Sequence, residues 1–250
     1  MPKPDIRFFL IGAARSGTTS LYRSLEAHPG VFSQQIKEPR FFKENWKKGW
    51  DWYADVYEGA GANQICGDYS PSYSSVRRGD VAKRIHRAYP DAKLIYIVRN
   101  PIDCAISNWR MTAEIKKPVL NFPEALDNHE WKLLVLERCQ FFHQLQYFRK
   151  HFSDDQIRVY ALEDIRSHPE RLDDIQAFLG LERMELSFPR ANASDRKPDR
   201  PKIPDIARST RNRFISAVAD DARKILEFAG LPGNFWTLSP NYKGWNAPDA

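Results

Sequence analysis

The sequence predicts a single α/β domain over residues 1–250, in which buried parallel strands alternate with helices. Residues 6–25 indicate a strand, a loop and a helix, because a short apolar run meets a glycine-bounded turn and then an amphipathic stretch. A continuous apolar run at residues 93–98 is typical of a parallel strand covered on both faces, and residues 156–161 predict the last core strand. Hydrophobic residues make up 42% of the chain, which is enough for a sizeable core, and nothing forces a division into two domains.

The first loop, Gly12-Ala-Ala-Arg-Ser-Gly-Thr-Thr19, has the composition of a phosphate cradle. The spacing of Gly12 and Gly17 lets backbone N–H groups point at an anion, while the following helix adds its positive end. Arg15 supplies a forked cation inside the loop. Four hydroxyl groups come from Ser16, Thr18, Thr19 and Ser20. An ordinary βα turn with two glycines is the alternative interpretation, and the hydroxyl cluster favours the phosphate site.

The spacing of the two glycines matches that of nucleoside triphosphate-binding loops, with one difference. Those loops place a lysine directly after the second glycine, where it reaches the β- and γ-phosphates. Here that position holds Thr18. A loop with hydroxyls and backbone donors at this point suits a single 5′-phosphoryl group.

Residues 31–33 predict a short second strand, and Pro39 ends regular structure soon after it. A carboxylate that follows a parallel strand lies at the ligand-binding edge of the sheet, which makes Glu38 a candidate catalytic acid or base. A surface ion pair with Lys37 or Arg40 is the alternative, and the residues alone favour it slightly.

Arg99 follows the strand at residues 93–98 and stands directly before a predicted helix. Asn100 is a candidate N-cap, and Pro101 fits the first helical position. Ser107 lies two turns further on, on the same side of the helix. An arginine and a serine at this interval could hold a second phosphate, whereas a salt bridge from Arg99 to Asp103 is the alternative.

The other elements follow from periodicity and turn residues. They are a helix after Gly49, a strand at 64–66, a turn at 67–73, and helices over 79–89, 123–152, 162–179 and 206–230. The polar, basic, proline-punctuated segment 188–201 predicts a mobile loop or lid. Its Arg196 and Lys197 are candidate phosphate ligands, and solvated charge is the alternative for each.

The formal net charge of +6 favours anionic ligands. The basic residues form no polybasic tail or recognisable nucleic-acid module, so we expect no nucleic-acid partner. No apolar run has the length of a membrane span, so we expect no stable membrane insertion, and no metal-ligand cluster is recognisable. Three scattered cysteines and a start without an apolar signal region predict a cytoplasmic protein with reduced thiols. The oligomeric state is left open.

Four motifs together resemble the family of sulfotransferases that use 3′-phosphoadenosine 5′-phosphosulfate (PAPS). They are Gly12-Ala-Ala-Arg-Ser-Gly-Thr-Thr19, Lys37-Glu-Pro-Arg-Phe-Phe42, Gly67-Asp-Tyr-Ser-Pro-Ser-Tyr73 and Ile97-Val-Arg-Asn-Pro-Ile-Asp-Cys-Ala-Ile-Ser107. The likeness covers almost the whole chain and is closest to bacterial relatives of the heparan sulfate sulfotransferase branch. It implies a three-layer P-loop-like fold with a central parallel β-sheet flanked by helices. It also implies PAPS as co-substrate, adenosine 3′,5′-bisphosphate as product, no metal, and a small-molecule, lipid or saccharide acceptor with a hydroxyl or amine.

The resemblance also implies roles for individual residues. Glu38 matches the family's general base, which takes the proton of the acceptor as it attacks sulfur in line. Arg15 matches the loop lysine that stabilises the leaving phosphate. The first loop binds the 5′-phosphosulfate, and Arg99 with Ser107 binds the 3′-phosphate.

The chain departs from the glycan-sulfating branch at Tyr69, where that branch has a second catalytic lysine. Either Lys37 or Arg40 supplies the missing cation, or the acceptor chemistry differs.

Two other classes of function remain as alternatives. A P-loop kinase or nucleotide hydrolase is disfavoured by Thr18, and by the predicted placement of Asp103 on a helix and Asp68 in a turn. A non-catalytic protein that senses the bisphosphate would need the first loop and Arg99 but not Glu38.

Overall fold

The computed structural model describes residues 3–75, 80–190, 201, 203 and 205–246. The chain divides into two compact units. The first comprises Met1–Val98 with Gln144–Ala191, and the second comprises Arg99–His143 with Asn192–Ala250.

The first unit contains a four-stranded parallel sheet in the order β2-β1-β3-β4. Its strands are β1 (Ile6–Gly12), β2 (Cys66–Asp68), β3 (Lys93–Val98) and β4 (Ile157–Ala161). The two middle strands, β1 and β3, are almost entirely buried, because helices cover both faces of a parallel sheet. The structure confirms the predicted α/β class and the central parallel sheet flanked by helices.

The helices of the described residues are as follows in chain order. They are α1 (Thr18–Glu26), α2 (Gly49–Asp55), α3 (Val81–Ala88), α4 (Pro101–Ile115), α5 (Phe122–Asp127), α6 (His129–Val135), α7 (Phe141–Arg149), α8 (Leu162–Ser167), α9 (Arg171–Leu179) and α10 (Arg208–Phe228). None of these helices is long and apolar enough to cross a membrane.

The prediction of a second strand at residues 31–33 is wrong. Val31 forms only an isolated parallel bridge with Ile65. The chain then turns away, and the Gln34 side chain donates to the carbonyl of Lys37 at 3.1 Å. Glu38 therefore lies on a loop rather than at the end of a strand.

The strand predicted at 64–66 is displaced, because β2 runs from Cys66 to Asp68. Gly67 permits this, since a β-carbon there would lie 2.2 Å from Cζ of Phe8 on β1. Asp68 thus ends a strand and does not lie in a turn, contrary to the prediction.

The long helix predicted over 123–152 is also wrong, because the chain breaks it into α5, α6, a 3-10 turn at Glu137–Cys139 and α7. Asn128 causes one break, since its side chain accepts bonds from the N–H groups of Glu130 and Trp131 and starts a new helix. The helix predicted over 162–179 is likewise divided into α8 and α9. The division follows from Pro169, which cannot continue a helix.

Alternate residues of β1 pack into two different clusters. Phe8 belongs to an aliphatic core with residues of α1, α8 and α9. Phe9 contacts the aromatic residues that follow Glu38, with its ring centroid 5.7 Å from that of Phe42. The three cysteines, Cys66, Cys104 and Cys139, are buried free thiols.

Candidate functional site

The loop between β1 and α1 has the backbone form of an anion cradle. The N–H of Ala13 donates to the carbonyl of Ile97 on β3 at 2.6 Å, which holds the start of the loop against the sheet. Arg15 and Gly17 adopt left-handed conformations, with φ of 68° and 89°. Left-handed residues in a tight loop turn successive N–H groups towards one concave side, which is where an anion binds.

Both loop glycines are required by close packing. A β-carbon at Gly17 would lie 2.5 Å from Cδ1 of Leu162 on α8, and φ of +89° is itself unfavourable for any other residue. A β-carbon at Gly12 would lie 2.3 Å from Oγ of Ser74. The loop is therefore held close to its neighbours at both ends.

The hydroxyl groups of the loop also fit a phosphoryl ligand. Ser16 is fully buried, and among the described residues its Oγ has no hydrogen-bond partner. Such a group is costly to leave unsatisfied, and a phosphoryl oxygen would satisfy it. Thr18 and Ser20 are buried beside it, and Thr19 is half-buried.

A group of three charged side chains extends from this loop. Nζ of Lys37 donates to Oγ1 of Thr19 at 2.6 Å and lies 3.6 Å from Oε1 of Glu38. Arg40 binds the other oxygen of Glu38, Oε2, through Nη2 at 2.7 Å and Nε at 3.3 Å. The predicted surface ion pairs of Glu38 are thus present, and Lys37 also connects the carboxylate to the loop between β1 and α1.

Burial lowers the pKa of Lys37, although the neighbouring Glu38 opposes this shift. The pKa of Arg40 is raised, chiefly by its hydrogen bond to Glu38. The side chain of Lys37 is 28% exposed and that of Arg40 is 48% exposed. Lys37 is therefore the less solvated cation and the one in contact with the loop.

The carboxylate of Asp68 is fully buried and interacts electrostatically with Glu38. Its Oδ1 accepts a hydrogen bond from Ser70 at 2.6 Å, and its Oδ2 accepts from Tyr53 at 2.9 Å and from Tyr73 at 2.7 Å. Burial raises the pKa of Asp68 to about 6, whereas the three hydroxyl donors oppose the shift and Glu38 adds to it.

We expect Asp68 to make the stability of the protein depend on pH. Because its pKa rises from 3.8 in its ordinary state to about 6 on folding, the folded protein holds this proton more tightly than the unfolded chain. The stabilisation is complete below about pH 4 and is lost as the pH rises through about 6. Relative to Asp68→Asn, the wild-type free energy of unfolding in urea should fall by about 2 kcal/mol between about pH 4 and about pH 7. A difference that stays constant over this range contradicts the assignment.

The candidate residues for a second phosphate lie in the second unit. Asn100 caps α4 as predicted, since its side chain accepts from the N–H of Ile102 at 2.9 Å and Pro101 occupies the first turn. Arg99 is 8% exposed and Ser107 is 1% exposed. Their joint role in binding a phosphate stays a prediction.

Two further candidates, Arg196 and Lys197, lie outside the described residues.

Tyr69 turns its side chain into the aliphatic core. It is 1% exposed, and its ring makes edge contacts with Phe8 and Tyr22 at centroid distances of 5.3 and 4.9 Å. Burial raises its pKa well above the ordinary value. The tyrosine at this position is therefore a packing residue, and whether Lys37 or Arg40 supplies a cation in its place, or the acceptor chemistry differs, stays a prediction.

Sequence reasoning missed the hydrogen bonds of Asp68, because its partners come from two separate segments of the chain, α2 and the residues directly after β2. The available signal was the position of Asp68 at the end of a strand that neighbours β1, the strand that carries the loop.

Comparison with known proteins gives a consistent result. Residues 5–194 match the family model of the sulfotransferase domain. Human heparan sulfate glucosamine 3-O-sulfotransferase 3B1 is 29% identical over 184 residues, which cover 70% of this chain and 46% of that protein. Mouse bifunctional heparan sulfate N-deacetylase/N-sulfotransferase 4 is 27% identical over 196 residues, which cover 70% of this chain and 22% of that protein. The chain thus spans less than half the length of these two relatives.

The crystal structure of a sulfotransferase from Alicyclobacillus acidocaldarius has the same fold. It superposes with a TM-score of 0.72 at 21% identity, covering 99% of this chain and 100% of that chain. The match to the family model extends over most of the chain and includes the phosphate loop, the Glu38 segment and Arg99. The chain therefore belongs to the sulfotransferase domain family.

Proposed function

We propose that this domain transfers a sulfuryl group from PAPS to a hydroxyl or amine of an acceptor. The observation that carries the proposal is the link made by Lys37, whose Nζ lies 2.6 Å from Thr19 of the loop and 3.6 Å from Glu38. This link joins an anion cradle, a cation and a carboxylate in one cluster. Transfer of a charged group from a phosphate oxygen to an acceptor oxygen or nitrogen uses these three elements together.

In the proposed reaction the acceptor oxygen or nitrogen forms a bond to sulfur while the bond from sulfur to the 5′-phosphate oxygen breaks. Glu38 takes the acceptor proton, and adenosine 3′,5′-bisphosphate leaves with the electron pair of the broken bond. Arg15 and the loop N–H groups stabilise the charge that develops on the leaving phosphate. Ser16, Gly17, Thr18, Thr19 and Ser20 complete the proposed 5′-phosphosulfate site.

The geometry of Glu38 favours one of its two oxygens as the base. Oε2 accepts both bonds from Arg40, so this oxygen is already engaged by a cation. Oε1 is on the side of Lys37 and the loop. We assign proton acceptance to Oε1.

We assign the 3′-phosphate to Arg99 and Ser107, and further phosphate contacts to Arg196 and Lys197. Arg99 directly precedes the capped N-terminus of α4 and Ser107 lies two turns along that helix, and this placement supports the first assignment, because helix N-termini attract anions.

Position 69 holds a tyrosine where the glycan-sulfating branch has a catalytic lysine. Of the two candidates for the replacing cation, Lys37 and Arg40, we propose Lys37. Replacing it by alanine should lower kcat by about 10- to 100-fold, because one charge is lost beside the transferring group. Lys37→Arg should retain part of the rate. Steady-state kinetics with PAPS measures the effect, with the exposed Lys47→Ala as the control for a simple loss of charge. An unchanged kcat in Lys37→Ala would indicate that Arg40 supplies the cation or that the acceptor chemistry differs.

For the acceptor we propose a small molecule, a lipid or a saccharide. The two relatives described above are named for heparan sulfate, and this supports the saccharide class among the three. The three buried free thiols support a reducing compartment, and we propose the cytoplasm.

The proposal is tested by incubating the protein with PAPS that carries a labelled sulfuryl group and with acceptors of the three classes. Formation of adenosine 3′,5′-bisphosphate together with labelled acceptor is the expected result. Transfer of phosphate from ATP with magnesium, in place of sulfuryl transfer, would show that the domain is a kinase.

A further inference from the structure

The segment that carries Glu38 lacks the support of a regular element. Within the described part of the chain, residues 37–42 belong to no strand or helix. Arg40 has a φ of 48°, a left-handed conformation that an arginine keeps only where its surroundings hold it. The backbone N–H groups here need partners outside a helix or a sheet.

Two hydroxyl groups from the segment after β2 supply these partners. The N–H of Arg40 donates to Oγ of Ser70 at 2.9 Å, and the N–H of Phe42 donates to the hydroxyl of Tyr73 at 3.2 Å. One bond is made by the left-handed residue itself and the other by the residue two positions later, so together they fix the path of the chain soon after Glu38.

The same two hydroxyls donate their protons to Asp68. Ser70 binds Oδ1 at 2.6 Å and Tyr73 binds Oδ2 at 2.7 Å. Because each hydroxyl has one proton, a buried acceptor for that proton leaves a lone pair directed at the backbone N–H. Asp68 is fully buried, so solvent does not compete for these bonds.

We propose that Asp68 is a positioning residue for Glu38, acting through Ser70 and Tyr73 on the backbone of residues 40–42. This inference rests on the proposed function, in which Glu38 is the general base. Asp68 itself does not touch the reactants. Asp68 orients the hydroxyls of Ser70 and Tyr73, and these hydroxyls hold the turn. The turn then positions the Glu38 carboxylate and its ion pair with Arg40.

The anchoring is tested without turnover by backbone amide exchange. Ser70→Ala should speed exchange of the Arg40 N–H by at least about tenfold, and Tyr73→Phe should do the same for Phe42. These variants leave Asp68 in place, so they avoid the loss of folding that Asp68→Ala could cause. Tyr57→Phe is the matched control, because the Tyr57 hydroxyl is also buried but bonds to the carbonyl of Gly67.

The route through Glu38 is tested by kinetics in two backgrounds. In the wild-type background, Ser70→Ala should lower kcat by about tenfold with the KM for PAPS within about twofold. In the Glu38→Gln background, the same substitution should cost nothing further, because residues that act as one unit are not additive. Tyr57→Phe should leave kcat and the exchange of Arg40 unchanged.

Unchanged exchange of Arg40 in Ser70→Ala would overturn the anchoring. An equal loss of kcat in both backgrounds would overturn the route through Glu38. If the wild-type protein does not transfer sulfuryl groups, the proposed function is overturned instead. Because amide exchange is measured without turnover, it still tests the anchoring in that case.

Discussion

Glu38→Gln is expected to lower kcat by about 100- to 10,000-fold, the range in which a general base contributes. Glutamine has nearly the same shape but cannot take the acceptor proton. It can still accept a bond from Arg40 through its amide oxygen, so the turn and the loop should keep their geometry. The affinity for adenosine 3′,5′-bisphosphate should stay near that of the wild type.

The matched control for this change is Glu44→Gln. Glu44 is an exposed acid in the same segment, and its replacement alters the net charge by the same amount. Steady-state kinetics gives kcat, and a calorimetric titration gives bisphosphate affinity. A wild-type kcat in Glu38→Gln would remove Glu38 from the mechanism. Bisphosphate binding without any sulfuryl transfer by the wild-type protein would instead indicate a bisphosphate-sensing function.

Arg15→Ala is expected to have the second largest effect, a loss of about 100-fold in kcat. Arg15 lies within the loop, where its backbone is left-handed with φ of 68°, and one well-placed donor to developing charge contributes about 3 kcal/mol. Arg15→Lys should recover much of this loss, because a lysine supplies a point charge at the same position.

Arg23→Ala is the control for Arg15, since Arg23 is an exposed cation on α1. Single-turnover rates with PAPS separate chemistry from binding. If Arg15→Ala weakens PAPS binding while the single-turnover rate at saturation is unchanged, Arg15 binds the donor in the ground state and does not stabilise the transition state.

The parts of the fold that the sequence predicted well are those set by local patterns. β1, the loop and α1 were found because an apolar run, two glycines and an amphipathic helix follow one another within a short stretch. β3 and the Asn100 cap were found for the same reason. Each of these features is encoded within a few neighbouring residues.

The errors arise where distant residues decide the structure. Residues 31–33 have strand character, but Val31 finds only a bridge to Ile65. The helical spacing of apolar residues continues across residues 123–152, but the side chain of Asn128 caps a new helix and interrupts the predicted one.

The candidate site was predictable as a set of residues and not as an arrangement. Glu38, Arg15 and the loop hydroxyls were identified from motifs, although Glu38 was reached through a strand that does not form. The contact from Lys37 to Thr19 and the bonds from Asp68 to Ser70 and Tyr73 depend on how loops meet in three dimensions. Such contacts leave no periodic signal in the sequence.

The central claim is that the loop belongs to a PAPS-dependent sulfotransferase and not to a nucleoside triphosphatase. A calorimetric titration with adenosine 3′,5′-bisphosphate, run in parallel with ATP and magnesium, tests this claim most directly. We predict a dissociation constant of about 1–10 μM for the bisphosphate, equivalent to about −7 to −8 kcal/mol, and binding of ATP that is at least about 100-fold weaker. Tighter binding of ATP with magnesium than of the bisphosphate would contradict the account and indicate a kinase or a nucleotide hydrolase.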